Sequence, residues 1–191
     1  MDYLIIITIS YLLGSIPFGL LLTKFFLNKD IRNIGSGNIG ATNVLRSGNK
    51  LIGYSTLFFD ILKAVLPLIY VKFYHIDFIY ISSLSVFLGH VFPIWLKFKG
   101  GKGVATYVGI LFSINLIYGI VFGIVWLLIF ILSKYSSLAS LISGLSIPIY
   151  MLIFNEKQII FFVIMFVLIF YTHRENIKRL KNKEESKSKI Y

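Results

Sequence analysis

Six apolar stretches, 3–27, 51–74, 76–96, 104–133, 136–154 and 158–171, fill most of this chain and dictate its solvent. Runs of that length are suited to a bilayer whose hydrocarbon core is about 30 Å thick, and there the backbone must satisfy its own hydrogen bonds. The expected fold class is therefore all-α, a polytopic integral membrane protein. Composition agrees: 57% of the 191 residues are hydrophobic, 17% aromatic and 14% charged, with a mean hydropathy of +0.83. An ordinary soluble domain carries about 25% charged residues. No separate soluble domain fits between the runs, so residues 1–180 are expected to form one transmembrane domain and 181–191 a basic, solvated cytoplasmic tail. Asp2 stands where a signal peptide would carry basic residues, so the first span is expected to be retained. Cysteine is absent, which excludes disulfides, thiolate chemistry and Cys-based metal sites.

Charge placement sets the expected topology. The run 104–133 would be about 45 Å long as one helix at ~1.5 Å per residue, too long for one comfortable span and short for two. Two short spans turning near 113–118 give seven transmembrane helices, with the N-terminus outside and the C-terminus cytoplasmic. All of the 19 basic residues except Lys63, Lys72 and Lys157 then lie on the inner side. A count of six would put either the tail or the glycine loops on the wrong side. The net charge of +11 is accounted for by cytoplasmic loops meeting anionic lipid, and no nucleic-acid partner is expected.

The same topology collects three polar islands on one face. Gly35-Ser36-Gly37-Asn38-Ile39-Gly40-Ala41-Thr42-Asn43, followed by Arg46, offers backbone N–H groups, small donors and a cation, a set suited to phosphate oxygens. Gly89-His90 leads into Phe98-Lys99-Gly100-Gly101-Lys102-Gly103-Val104-Ala105-Thr106, a glycine turn with a point charge ahead of a helix. It is not a nucleotide-binding P-loop, since Leu96 and Gly103 occupy two of the required positions. The third island is His173-Arg174-Glu175-Asn176-Ile177-Lys178-Arg179-Leu180, where His173 and Asn176 are spaced to share a helix face. Inside the second span, Asp60 and Lys63 are three apart, and each alone would cost roughly 2.5–3.5 kcal/mol at the bilayer centre. A mutual pair offsets that cost, with Lys63 also a candidate anion contact. Gly14-Ser15-Ile16-Pro17-Phe18-Gly19 is expected to kink or closely pack the first span.

Metal catalysis is not expected, because the eight acidic residues are scattered and the three histidines lack ligand spacing. No cofactor is implied either. The residues five beyond His75, His90 and His173 are Tyr80, Trp95 and Lys178, so the His-x4-Asp arrangement of common glycerolipid acyltransferases is missing. A phosphate-binding membrane site with few acid–base groups suits an electrophile that is already activated, such as an acyl phosphate, where the protein mainly positions reactants and stabilises charge.

The three islands resemble the three signatures of the acyl-phosphate glycerol-3-phosphate acyltransferase (PlsY) family. The resemblance extends to Gly14-Ser15-Ile16-Pro17, Asp60-x-x-Lys63 and Tyr135-Ser136-Ser137-Leu138, and departs where Ile39 replaces a frequent proline and Ala64 a frequent glycine. It implies an inner-membrane bacterial enzyme with a cytoplasm-facing site. That enzyme would move a fatty acyl group from acyl phosphate to the 1-hydroxyl of sn-glycerol 3-phosphate, giving lysophosphatidic acid and phosphate for phospholipid synthesis. Its expected partners are the two substrates, membrane lipid and the soluble enzyme that makes acyl phosphate. Ser36, Gly37, Asn38, Gly40, Thr42, Asn43 and Arg46 would hold the acyl-phosphate head. Gly100, Gly101, Lys102, Gly103 and Thr106 would hold glycerol phosphate with His173, Asn176 and Arg179. Catalytic roles fall to Ser36, Arg46, His173 and Asn176. Two points stay open on sequence: whether Ser36 is acylated or only binds phosphate, and whether His173 or a substrate phosphate takes the hydroxyl proton. The competing expectation is a transporter of phosphate or a phosphorylated solute, which the intramembrane Asp60/Lys63 pair would serve.

Overall fold

The first apolar run is cut in two by its own sequence. Helix α1, Asp2–Gly14, stops at Gly14-Ser15-Ile16-Pro17, and α2, Phe18–Leu27, begins just after Pro17, which lacks a backbone donor and cannot continue a helical ladder. The computed structural model describes residues 2–188, so residues 189–191 of the expected tail fall outside it. It is all-helical among the described residues and divides into two units, the first ending at Ile114 and the second beginning at Asn115.

In the first unit α3, Ala41–Arg46, leads to α4, Lys50–Tyr74, which Asn49 starts by accepting the Ile52 N–H at 2.9 Å. Helix α4 is the shared support, packed against α1, α2, α3, α5 (Ile79–Val91) and α6 (Val104–Ile114). Between α1 and α5 the backbones nearly touch. A Cβ on Gly14 would fall on the Val86 carbonyl, and one on Gly89 on that of Tyr11. Ser10 and Ser82 join hydroxyls across the same contact at 2.8 Å. Small residues and a hydroxyl bond are what helix association in lipid requires, where apolar burial alone gives no driving force.

The second unit contains α7, Leu116–Ser133, α8, Ser136–Ile153, α9, Ile159–Thr172, and α10, Arg174–Lys181, each packed on the next. Asn115 caps α7 by accepting the Ile117 N–H at 2.9 Å, so the run 104–133 breaks inside the expected 113–118 interval. Helix α7 buries Tyr118, Gly119 and Phe122, while Leu127, Leu128 and Leu132 stay exposed as a lipid-compatible face. The Tyr118 ring meets Phe162 edge-on at 5.5 Å between centroids.

By length and apolar composition, five helical stretches among the described residues can cross a membrane: Tyr3–Leu27, Lys50–Tyr74, Ile76–Leu96, Leu116–Ser133 and Ser136–Ile153. A sixth is α9 with α10, bent by 60°. Of the seven expected spans, α6 falls short at 11 residues, about 16 Å at ~1.5 Å per residue.

Candidate active site

The loop before α3 is held from beneath and from within. Leu20, Ile31, Ile39, Val44 and Ile52 form a buried apolar cluster under it, so the Ile39 that departs from the resembled signature is part of that cluster. Within the loop, Asn43 Oδ1 accepts the Ser36 N–H at 2.9 Å, while Nδ2 donates to the carbonyls of Asn38 at 2.8 Å and Ile34 at 2.9 Å, with Ile31 at 3.2 Å. Asn43 thus clamps the loop, and its polar atoms serve backbone groups of this chain. Asn38 Oδ1 in turn accepts the Gly40 N–H at 2.8 Å, and Gly35 and Gly37 take φ of 57° and 71°, where a side chain is disfavoured. Ser36 and Thr42 remain exposed and Arg46, in the last turn of α3, half-buried.

Arg32 is committed elsewhere. Its guanidinium pairs with Asp30 at 2.6 Å, and this hydrogen bond above all, opposed by slight desolvation, brings the Asp30 carboxyl down to about 2. The arginine that the cradle's own helix carries is Arg46, in the last turn of α3.

Replacing Asn43 with alanine removes the clamp and is expected to cost about 1–3 kcal/mol. Asn43→Asp should cost more, because a carboxylate oxygen would then face the Asn38 and Ile34 carbonyls with no proton to give. Thermal unfolding in detergent checks the order: equal midpoints for the two variants would contradict the clamp.

The second island is shaped by the end of α5. Lys97 and Phe98, at φ of 51° and 61°, reverse the chain, and Gly100 and Gly101 return their N–H groups to the carbonyls of Val91 at 3.0 Å and His90 at 3.1 Å. A Cβ on Gly101 would land on the His90 ring, so only glycine fits. Lys102 and Gly103 follow, and α6 starts with Thr106 buried and its hydroxyl without a hydrogen-bond partner among the described residues.

Beneath this loop lies an ionic knot. Lys63 Nζ contacts Asp60 Oδ1 at 2.7 Å, the Ile16 carbonyl at 2.8 Å and His90 Nδ1 at 2.8 Å. The ammonium donates to the Ile16 carbonyl and to His90 Nδ1 and pairs in charge with Asp60, so Lys63 is a tie between α4, the break after α1 and the end of α5. Since the ammonium donates to Nδ1, His90 carries its own proton on Nε2, the atom facing Gly101.

In the second unit, His173 sits at the bend between α9 and α10. Its Nδ1 lies 2.8 Å from the Ile169 carbonyl, which can only accept, so the proton is on Nδ1 and Nε2 is the basic nitrogen. Asn176 and Arg179 converge on Glu185, their Nδ2 and Nε each 2.7 Å from its carboxylate, and Ser137 Oγ joins at 2.8 Å. Burial raises the Glu185 carboxyl, but the bonds from Arg179, Asn176 and Ser137 outweigh it and leave it below the usual range. The segment after α10 is also tied at Ser188, whose N–H reaches the Lys134 carbonyl at 2.8 Å. Sequence reasoning did not assign Glu185 a place, because it sits in a Lys/Glu/Ser run. It quoted Ser137 without giving it a role. The Asp60/Lys63 pair did signal the knot, though not the part of His90.

A glycerol-3-phosphate acyltransferase family model matches residues 4–183. The chain belongs to that family. A Pelagibacter ubique (strain HTCC1062) glycerol-3-phosphate acyltransferase is 70% identical over the whole of both chains, and one from Rhodopseudomonas palustris (strain HaA2) is 46% identical over 97% of this chain and 95% of its own. Two crystal structures of PlsY, an integral membrane glycerol 3-phosphate acyltransferase, share the fold at 38% identity. Its glycerol 3-phosphate form has a TM-score of 0.91 over 98% of this chain and 96% of that one. Its lysophosphatidic acid form has a TM-score of 0.88 over 98% and 95%. This family member is accordingly an integral membrane protein of bacterial type, built on the acyltransferase fold.

Proposed function

We propose that this protein transfers a fatty acyl group from acyl phosphate to the 1-hydroxyl of sn-glycerol 3-phosphate. The observation that carries the reading is full-length membership of the acyltransferase family, combined with a clamped loop that carries Ser36, Thr42 and Arg46 on a fixed backbone. Ser36, Gly37, Asn38, Gly40, Thr42 and Arg46 hold the acyl-phosphate head, with Asn43 maintaining their arrangement. Lys102 and the Gly100–Gly103 backbone bind the phosphate of the acceptor, and Thr106 lies at the base of that loop.

The substrate hydroxyl oxygen attacks the acyl carbon, the bond from that carbon to the phosphate oxygen breaks, and phosphate leaves as a stable anion. The hydroxyl proton passes to Nε2 of His173. Charge stabilisation and positioning supply most of the rate, so neither metal nor cofactor enters the scheme. Direct transfer is favoured, because among the described residues the hydrogen bond of Ser36 runs from its backbone N–H to Asn43 and involves no base. The transporter reading has lost its main support, since the Asp60/Lys63 pair is locked into helix packing.

The positive-inside tendency supports seven crossings, with α6 as a short one, the N-terminus outside and the C-terminus and glycine loops cytoplasmic, in the inner membrane. The donor identifies a partner by chemistry, a soluble enzyme that makes acyl phosphate.

Purified protein in nanodiscs, given palmitoyl phosphate and glycerol 3-phosphate, should form lysophosphatidic acid. With palmitoyl phosphate alone, its intact mass should be unchanged. A folded preparation that makes no lysophosphatidic acid contradicts the activity, and a palmitoyl adduct on Ser36 contradicts direct transfer.

A further inference from the structure

A buried carboxylate accepts hydrogen bonds and gives none, and this fixes more than its own place. The Glu185 side chain is 6% exposed and both its oxygens are used: Oε1 accepts from Ser137 Oγ at 2.8 Å and Asn176 Nδ2 at 2.7 Å, and Oε2 from Arg179 Nε at 2.7 Å. The carboxylate is delivered by a turn at Lys183, φ 60°, and fastened by the Ser188 to Lys134 backbone bond. Asn176 is 4% exposed, and its amide has two nearly isosteric orientations that differ only in which end donates. Against Glu185 only one is tolerable, with nitrogen toward the carboxylate. The opposite orientation would set amide oxygen against carboxylate oxygen with no proton between them.

The consequence lies at the other end of the amide. Asn176 Oδ1 is buried and has no hydrogen-bond partner among the described residues. A buried acceptor left unsatisfied is costly, and such groups in a folded protein call for an explanation. A ligand O–H meets the need, and an acyl acceptor brings one.

We propose that Glu185 is a positioning residue for acyl transfer, locking the Asn176 amide so that its oxygen accepts a hydrogen bond from a hydroxyl of the polyol-phosphate substrate. The inference rests on the proposed acyltransferase activity. Asn176 touches the substrate; Glu185 acts through it. An amide oxygen is too weak a base to take the proton, so the bond orients the hydroxyl and leaves deprotonation to another group. Arg179 is fixed by the same carboxylate through Nε, which leaves its terminal nitrogens as the face that meets an anion.

The test uses full-length protein in nanodiscs. Glu185→Gln keeps the shape but gives the side chain a donor, so the Asn176 amide is free to flip. It is expected to lower kcat roughly 10- to 100-fold through misorientation of the reacting hydroxyl, with the thermal midpoint near that of the parent. Glu185→Asp, still an acceptor only, should retain more kcat than Glu185→Gln. In an Asn176→Ala background, Glu185→Gln should cost little further, since its effect passes through that amide.

Parental kcat in Glu185→Gln, or a kcat loss undiminished in the Asn176→Ala background, overturns the proposal. So does a lower KM for glycerol 3-phosphate in Glu185→Gln, which would mark Glu185 as a competitor for the anion site. Should Glu185→Gln not fold, the parent with 15N-labelled asparagine decides: slow exchange of the Asn176 side-chain protons is expected, and exchange at the rate of exposed asparagines overturns it. Inactivity of the parent would instead refute the acyltransferase reading, a separate outcome.

Discussion

Arg46→Ala is expected to reduce kcat/KM for acyl phosphate by about 10²–10³-fold, the loss typical when one preorganised contact to developing negative charge is removed. The expectation rests on a division of labour among the arginines of this loop. Arg32 is paired with Asp30, which Lys24 also approaches at 3.9 Å, so its loss should change kcat/KM little. Arg46 emerges from α3 beside the clamped glycine backbone, half-buried, where its charge is less screened than at an open surface. Arg46→Lys should recover only part of the loss, because a point charge cannot reproduce the planar fork that grips two phosphate oxygens. Steady-state kinetics on the three variants test the ranking. Equal losses for Arg32→Ala and Arg46→Ala would contradict the assignment of the cradle's cation.

The second large effect concerns stability. Lys63→Met leaves Asp60 buried without its counter-ion, both side chains of that pair being 2% exposed, and should cost about 3–5 kcal/mol. The effect should be visible as a lower thermal midpoint in detergent. Removing both charges, as Asp60→Asn with Lys63→Met, should recover more than half of that cost, because the desolvation of two ions is then avoided. The single variant should also raise KM for glycerol 3-phosphate. Without the ammonium, His90 loses its fixed tautomer, and the Gly100–Gly101 turn that rests on His90 loses its reference. A Lys63→Met protein with parental midpoint and parental KM would show that the knot holds neither the bundle nor the loop.

How much of this was legible in the sequence depends on the kind of force involved. Helices followed from the apolar runs because lipid leaves the backbone no alternative, the kink at 14–19 from its glycines and proline, and the turn within 113–118 from run length and charge, while the Asn115 cap that makes this turn was not read from the sequence. The glycine loops and Arg46 were visible as polar matter out of place. What local pattern could not show was which polar atoms the chain uses for itself. Asn43 looked like one more ligand donor, yet the loop's carbonyls needed a donor and Asn43 is the residue that reaches them. Lys63 looked able to meet an anion, yet its buried ammonium is held by its counter-ion Asp60 and by the Ile16 carbonyl and His90, the last two distant in sequence. Glu185 was hidden by its neighbours, since a Lys/Glu/Ser run has the composition of a solvated tail, and only the fold brings Ser137 to it from 48 residues away.

The central claim is that this membrane protein joins an acyl phosphate to glycerol 3-phosphate. Phosphorus NMR of the purified protein in nanodiscs follows both phosphate-bearing substrates and both products in one sample. The account predicts that the palmitoyl phosphate and glycerol 3-phosphate signals decline together while lysophosphatidic acid and inorganic phosphate rise in equal amounts. Inorganic phosphate rising with no lysophosphatidic acid, or no change in the presence of folded protein, would contradict it.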